Sequence, residues 1–227
     1  ERKIVLGSEP ATETNDFVTQ YGDKYRQVPV SLSYVHDTRN RALFPNEGQR
    51  HRLSLQGAMP GSDLQFLKVG YDGAMYKKIS DDMTFALKAK VGAGKGQKGL
   101  TELPFFEKYT AGGIGTVRGY DQNSLGSRDS KGDYRGGDLM MATSAEIQFP
   151  VPFASDVKGL KMSAFVDAGN VFDTTSSFKS SDIRTSVGLG AIWVSPLGPL
   201  EISIARPLNA KDGDKEQRVQ FSLGANF

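Results

Sequence analysis

The sequence predicts an all-β fold, an antiparallel transmembrane β-barrel present in part. Three observations predict it: a two-residue alternation of apolar and polar side chains, segments longer than ordinary soluble strands, and connections that alternate between short and long. The alternation is clearest near the C-terminus, where Val219, Phe221, Leu223, Ala225 and Phe227 interleave with Arg218, Gln220, Ser222, Gly224 and Asn226. Successive side chains of a strand point to opposite faces, so this spacing collects every apolar group on one side. The same pattern recurs in 83–95, where Phe85, Leu87, Ala89, Val91 and Ala93 oppose a face carrying Lys88 and Lys90. In 139–149, Met141, Thr143, Ala145, Ile147 and Phe149 oppose Ala142, Ser144, Glu146 and Gln148; in 184–195, Val187, Leu189, Ala191 and Trp193 oppose Ser186, Gly188 and Gly190. With 3–8, 28–37, 49–59, 64–76, 159–172, 199–206 and 216–227, about ten strands are expected.

Alternation alone does not choose between a soluble sandwich and a membrane barrel, because both have one apolar face. Length favours the barrel: most segments run about 10–13 residues, against about 9–11 for a tilted strand crossing hydrocarbon and about 5–6 for a soluble strand. Connections favour it too. Counted back from Phe227, 207–215, 173–183, 96–138 and 9–27 form a mostly long set, with 60–63 a short exception, and 196–198, 150–158, 77–82 and 38–48 form a shorter set. Outer-membrane barrels pair short periplasmic turns with longer outer loops, which places the C-terminus on the periplasmic side. Tyr34, Tyr71, Phe85, Phe149, Trp193 and Phe227 are candidates for interfacial girdles.

Composition excludes several functions. No apolar run reaches the roughly 20 residues of a spanning helix. The chain of 227 residues has no cysteine, so disulfides and thiolate chemistry are unavailable. Lys and Arg (28) nearly balance Asp and Glu (26), which gives no electrostatic case for nucleic acid. His36 and His51 are the only histidines, too few for a metal site or a triad, and no cofactor fingerprint is complete, so the reading is of a protein that is not an enzyme. A start at Glu1, without Met or signal peptide, is expected of a processed protein or an excised fragment.

Segment 96–138 is too long for a hairpin loop and contains Ala111-Gly-Gly-Ile-Gly-Thr-Val-Arg-Gly-Tyr120. Its glycines allow tight turns and close approach to a wall, and Arg118 can clasp carboxylates; a flexible loop with a solvated arginine fits the same residues. Val117-Arg118-Gly119-Tyr120 resembles the VRGF/Y motif of the sixth outer loop in the BamA-type outer-membrane protein assembly factors. Similar family segments occur in order: Phe44-Pro45-Asn46-Glu47-Gly48-Gln49-Arg50, Pro104-Phe105-Phe106-Glu107-Lys108-Tyr109, Gly112-Gly113, Phe165-Val166-Asp167-Ala168-Gly169-Asn170-Val171-Phe172-Asp173 and Ser195-Pro196-Leu197-Gly198-Pro199-Leu200. Residues 1–27 match poorly.

The resemblance implies that the long loop folds into the barrel lumen, where Arg118 pairs with Glu146 and Asp167 and forms, with Val117, Gly119 and Tyr120, a loop lock. It implies a lateral gate along strand 216–227, with Phe221, Leu223 and the terminal Phe227 forming the outer-membrane signature and Gly224 a kink point; a glycine there for close packing is the alternative. The implied partners are unfolded outer-membrane protein clients, the lipoproteins of the assembly machinery, periplasmic chaperones and the lipid bilayer. Family barrels have about sixteen strands, so the chain is expected to be the C-terminal part of one barrel domain, without the N-terminal strands or the POTRA domains. Its open edges imply an incomplete barrel or closure through a second copy. A two-partner secretion or translocation-assembly pore of the same superfamily is the alternative, and a passive porin a more distant one.

Overall fold

The computed structural model describes residues 1–152, 159–195 and 198–224. Its elements in chain order are β1 (Arg2–Lys3), α1 (Thr12–Tyr21), β2 (Lys24–Tyr25), β3 (Pro29–Asp37), β4 (Gly48–Ala58), β5 (Gln65–Lys78), β6 (Thr84–Gln97), β7 (Gly119–Tyr120), β8 (Leu139–Pro150), β9 (Leu160–Phe172), β10 (Arg184–Ser195), β11 (Gly198–Pro207), β12 (Glu216–Gln217) and β13 (Val219–Leu223). Nine of these form one antiparallel sheet in the order β13-β11-β10-β9-β8-β6-β5-β4-β3. The sheet is a meander in which consecutive strands are neighbours. The interruptions, β7 and β12, leave the sheet to pair with each other.

The register aligns the predicted faces across the sheet. Phe85 lies opposite Ile147, Ile147 opposite Ala164, Ala164 opposite Leu189, Leu189 opposite Ile204 and Ile204 opposite Val219. This row forms part of a continuous apolar belt. Its side is the open one: Leu32, Phe221 and Leu223 are 68%, 67% and 64% exposed. On the other face, Ala86, Glu146, Phe165, Gly188 and Ala205 are aligned, and Glu146 is 3% exposed. The apolar face therefore looks outward and the charged face is covered from within, the reverse of a soluble sandwich.

Two expectations require correction. Residues 3–8 do not add a tenth strand to the sheet: Arg2–Lys3 pair with Lys24–Tyr25, and the Ile4 amide donates to Asp23 O at 2.8 Å. Ile4-Val5-Leu6 is only three apolar residues ahead of Gly7, too short to span. The segment expected as an outer connection, 9–27, holds helix α1, which ends at Gly22 (φ 91°). Phe17 and Tyr21, four residues apart and so on one helical face, pack with Ile4 and Phe106 on buried Tyr25, Leu64 and Leu100. This cap sits at the end of the sheet that carries the long connections. The other correction concerns 216–227: Glu216–Gln217 pair with the long loop, and the sheet strand begins only at Val219. No pairing joins β3 to β13 among the described residues, so the sheet is an open partial barrel.

Candidate functional site: a loop seated on the inner wall

The long loop leaves β6, turns through a 3-10 segment at Phe105–Glu107 and returns to β8 along the inner face. Backbone bridges between Tyr109 and Gly137, Ala111 and Leu125, and Arg128 and Tyr134 fold it on itself. Asp138 ties off its end, accepting the Leu103 amide on both carboxylate oxygens at 3.1 and 3.2 Å. The tip is anchored by burial: Ala111, Val117, Tyr120 and Leu125 cluster with Val171 of β9. Burial pushes the Tyr120 phenol up to about 12, helped by the Asp214 carboxylate, so its hydroxyl stays protonated. It lies 3.4 Å from Thr185 O, as a donor.

This anchoring brings Arg118 onto β8 and β9. Its Nε and Nη2 donate to Asp167 Oδ2 and Oδ1, both at 2.8 Å, and its backbone amide donates to Oδ2 at 3.0 Å. Nη2 also reaches Glu146 Oε1 at 2.8 Å and Ser144 Oγ at 2.9 Å. Asp167 thus receives both the fork of the guanidinium and the peptide behind it, an arrangement a lysine cannot reproduce. The guanidinium carbon lies 3.3 Å from the centre of the Phe165 ring, and Gly188 gives that ring room: a Cβ there would stand 2.7 Å from Phe165 Cζ. Lys88 Nζ takes the second oxygen of Glu146 at 3.1 Å, and Glu201 Oε1 lies 3.7 Å from Arg118 Nη1. Arg118 is 5% exposed and Asp167 fully buried. Charges desolvated to this degree are stable only when paired and hydrogen-bonded, and they are so here.

The structure therefore brings together Val117, Arg118, Gly119, Tyr120, Glu146 and Asp167. Sequence reasoning did not name Ser144, Phe165, Lys88, Glu201 or Gln220 as part of the site. Their signal was present in the alternation, since each falls on the polar parity of its strand, but nothing in one sequence says which lumen-facing residues a distant loop will touch. Phe221 and Leu223 lie on the outward face, away from Arg118. Gly224 has φ 92°, a conformation that favours glycine, and a Cβ there would meet nothing within 4 Å among the described residues. Phe227 lies outside the described residues.

An open antiparallel sheet with an oily exterior, and a long loop seated on its interior by one buried arginine, defines the class: a β-barrel of the outer-membrane type. The chain belongs to the Omp85 superfamily, whose domain matches residues 3–227. It is 34% identical to the outer membrane protein assembly factor BamA of Neisseria meningitidis, over 93% of this chain and 31% of that protein. It is 28% identical to a SAM50-like protein of Schizosaccharomyces pombe, over 91% of this chain and 46% of that protein. Among solved structures, BamA from Haemophilus ducreyi lacking POTRA domains 1–3 superposes with a TM-score of 0.85 at 25% identity, covering 95% of this chain and 48% of that one. The chain thus spans less than half the length of these relatives.

Proposed function

We infer that this chain is the C-terminal part of the barrel of a bacterial outer-membrane assembly factor, which folds and inserts other β-barrel proteins without covalent chemistry. The observation that carries the reading is the Arg118 seat. A passive pore does not require a loop fixed on its inner wall by a desolvated cluster of ion pairs, whereas a machine that changes shape needs one defined resting state. In this reading the barrel is integral to the outer membrane with its C-terminus in the periplasm, and its last strand, with Gly224 as the kink point, forms one side of a lateral gate. Client strands pair with the exposed edge by β-augmentation, so the hazard of an unpaired edge becomes the working part. The partners are unfolded outer-membrane proteins, periplasmic chaperones, assembly lipoproteins and lipid.

The test is depletion of the chromosomal copy and complementation with the full-length protein carrying Arg118→Glu, with folded porin in the outer membrane as the readout. Folded porin is expected to fall several-fold at equal levels of the variant; wild-type porin levels would refute the reading. A secretion pore of the same superfamily would instead lose export of a dedicated substrate while porin assembly stayed normal.

A further inference from the structure

The loop is fastened to the sheet at a second place, one residue beyond the arginine. Gln220 of β13 points inward and is 5% exposed. Its side-chain amide forms a two-pronged clip: Oε1 accepts the Gly119 amide at 3.2 Å and Nε2 donates to Tyr120 O at 2.7 Å. The clip extends a short ladder in which β7 pairs with β12, Tyr120 opposite Glu216 and Gly119 opposite Gln217, with the Asp121 amide donating to Lys215 O at 2.9 Å. Gly119 (φ 92°) lies flat on β11; a Cβ there would stand 3.2 Å from the Ala205 methyl. Higher up, Arg128 donates to Gly213 O and the Tyr134 hydroxyl to the same oxygen at 3.1 Å. The hairpin β11–β13 is thus bound to the loop along its inner side.

Among the described residues β13 is an edge strand, with β11 as its single neighbour in the sheet. Residues 118 and 119 are consecutive, about 3.8 Å apart at Cα. Arg118 belongs to β8 and β9 through Glu146 and Asp167, and Gly119 belongs to β13 through Gln220. Loss of the arginine seat removes the hold on the residue next to the peptide on which Gln220 closes, and bonds of 2.7 and 3.2 Å are sensitive to any shift of that peptide.

We propose that Gln220 is a positioning residue that couples the loop lock to the edge strand: with Arg118 seated β13 is held against β11, and with Arg118 released β13 loses its inner fastening and frees the edge. The use of that edge by client strands rests on the function inferred above; the coupling itself does not.

Amide hydrogen exchange of the full-length protein in lipid nanodiscs tests it. Arg118→Lys is expected to raise exchange about tenfold at 117–121 and also at 218–224, the loss of a buried hydrogen-bonded pair being of that order. Gln220→Met, which keeps the length and removes both hydrogen bonds, is expected to raise exchange at 218–224 and at the Gly119 amide that loses its acceptor, while the Arg118 amide on Asp167 stays protected, and the double variant to add nothing further at 218–224. Exchange that rises at 117–121 in Arg118→Lys while 218–224 stays at the wild-type rate would overturn the coupling, even if Gln220→Met failed to fold. Coupled exchange together with normal porin assembly in Gln220→Met would leave the coupling standing and sink the edge-pairing function.

Discussion

Two of the places where the connecting segments meet the sheet are built from opposite materials. The cap over the open end is apolar and aromatic: Phe17 meets Tyr21 at 5.0 Å, Phe105 at 5.5 Å and Phe106 at 6.4 Å between ring centres, over buried Tyr25, Leu64 and Leu100. The seat inside is ionic, with Arg118 and Lys88 set among Glu146, Asp167 and Glu201. Hydrophobic contact is non-directional and scales with area, so the cap tolerates small shifts and exchanges of one ring for another. A buried guanidinium has one satisfactory position, and displacement leaves charges unpaired in a poorly solvated space. The cap holds the N-terminal segment in place; the seat specifies a single position of the loop.

The largest effects are expected where this distinction is sharpest. Removing the charge of Asp167 with Asp167→Asn leaves one accepting oxygen where the guanidinium fork and the Arg118 backbone amide use two, and costs about 3 kcal/mol of loop protection. Glu146→Gln costs less, on the order of 1–2 kcal/mol, because Glu146 receives a single bond from Arg118, and of its other partners, Ser144, Gln148 and Lys88, the lysine still reaches solvent (side chain 35% exposed). Protease cleavage within 96–138, measured against a fixed site elsewhere, ranks the two; equal effects would show that the fork confers no advantage. Phe17→Ala in the cap should loosen 12–25 by about 2 kcal/mol, read as faster amide exchange there, without change at 117–121. An effect on Arg118 would mean that cap and seat are one unit. The smallest effect is expected at Arg2, whose side chain is half exposed and 3.4 Å from Glu107: Arg2→Ala should change melting by no more than the ~0.5 kcal/mol typical of surface pairs.

Much of this contrast was readable in the residues. Period-two alternation located eight sheet strands to within about two residues and put Glu146 and Asp167 on the lumen side, because the pleat forces parity whatever the tertiary context. The resemblance in 117–120 supplied the arginine and both acids. Three features were hidden, each for a physical reason. Helix α1 is ten residues with its apolar contacts concentrated in Phe17 and Tyr21, and it is held by the cap more than by its own propensity. Glu216–Gln217 look like the start of a strand, but their partner lies about a hundred residues away in the loop, beyond the reach of a local pattern. Gln220 carried no mark to separate it from any other polar residue of the alternating face.

The central claim is that Arg118 and Asp167 act as one unit in seating the loop. A double-mutant cycle with Arg118→Met and Asp167→Asn, scored by amide exchange at 117–121, measures it directly. A coupling energy of at least about 2 kcal/mol is predicted, the double variant being little worse than either single one. Additive losses, within about 0.5 kcal/mol, would contradict the account.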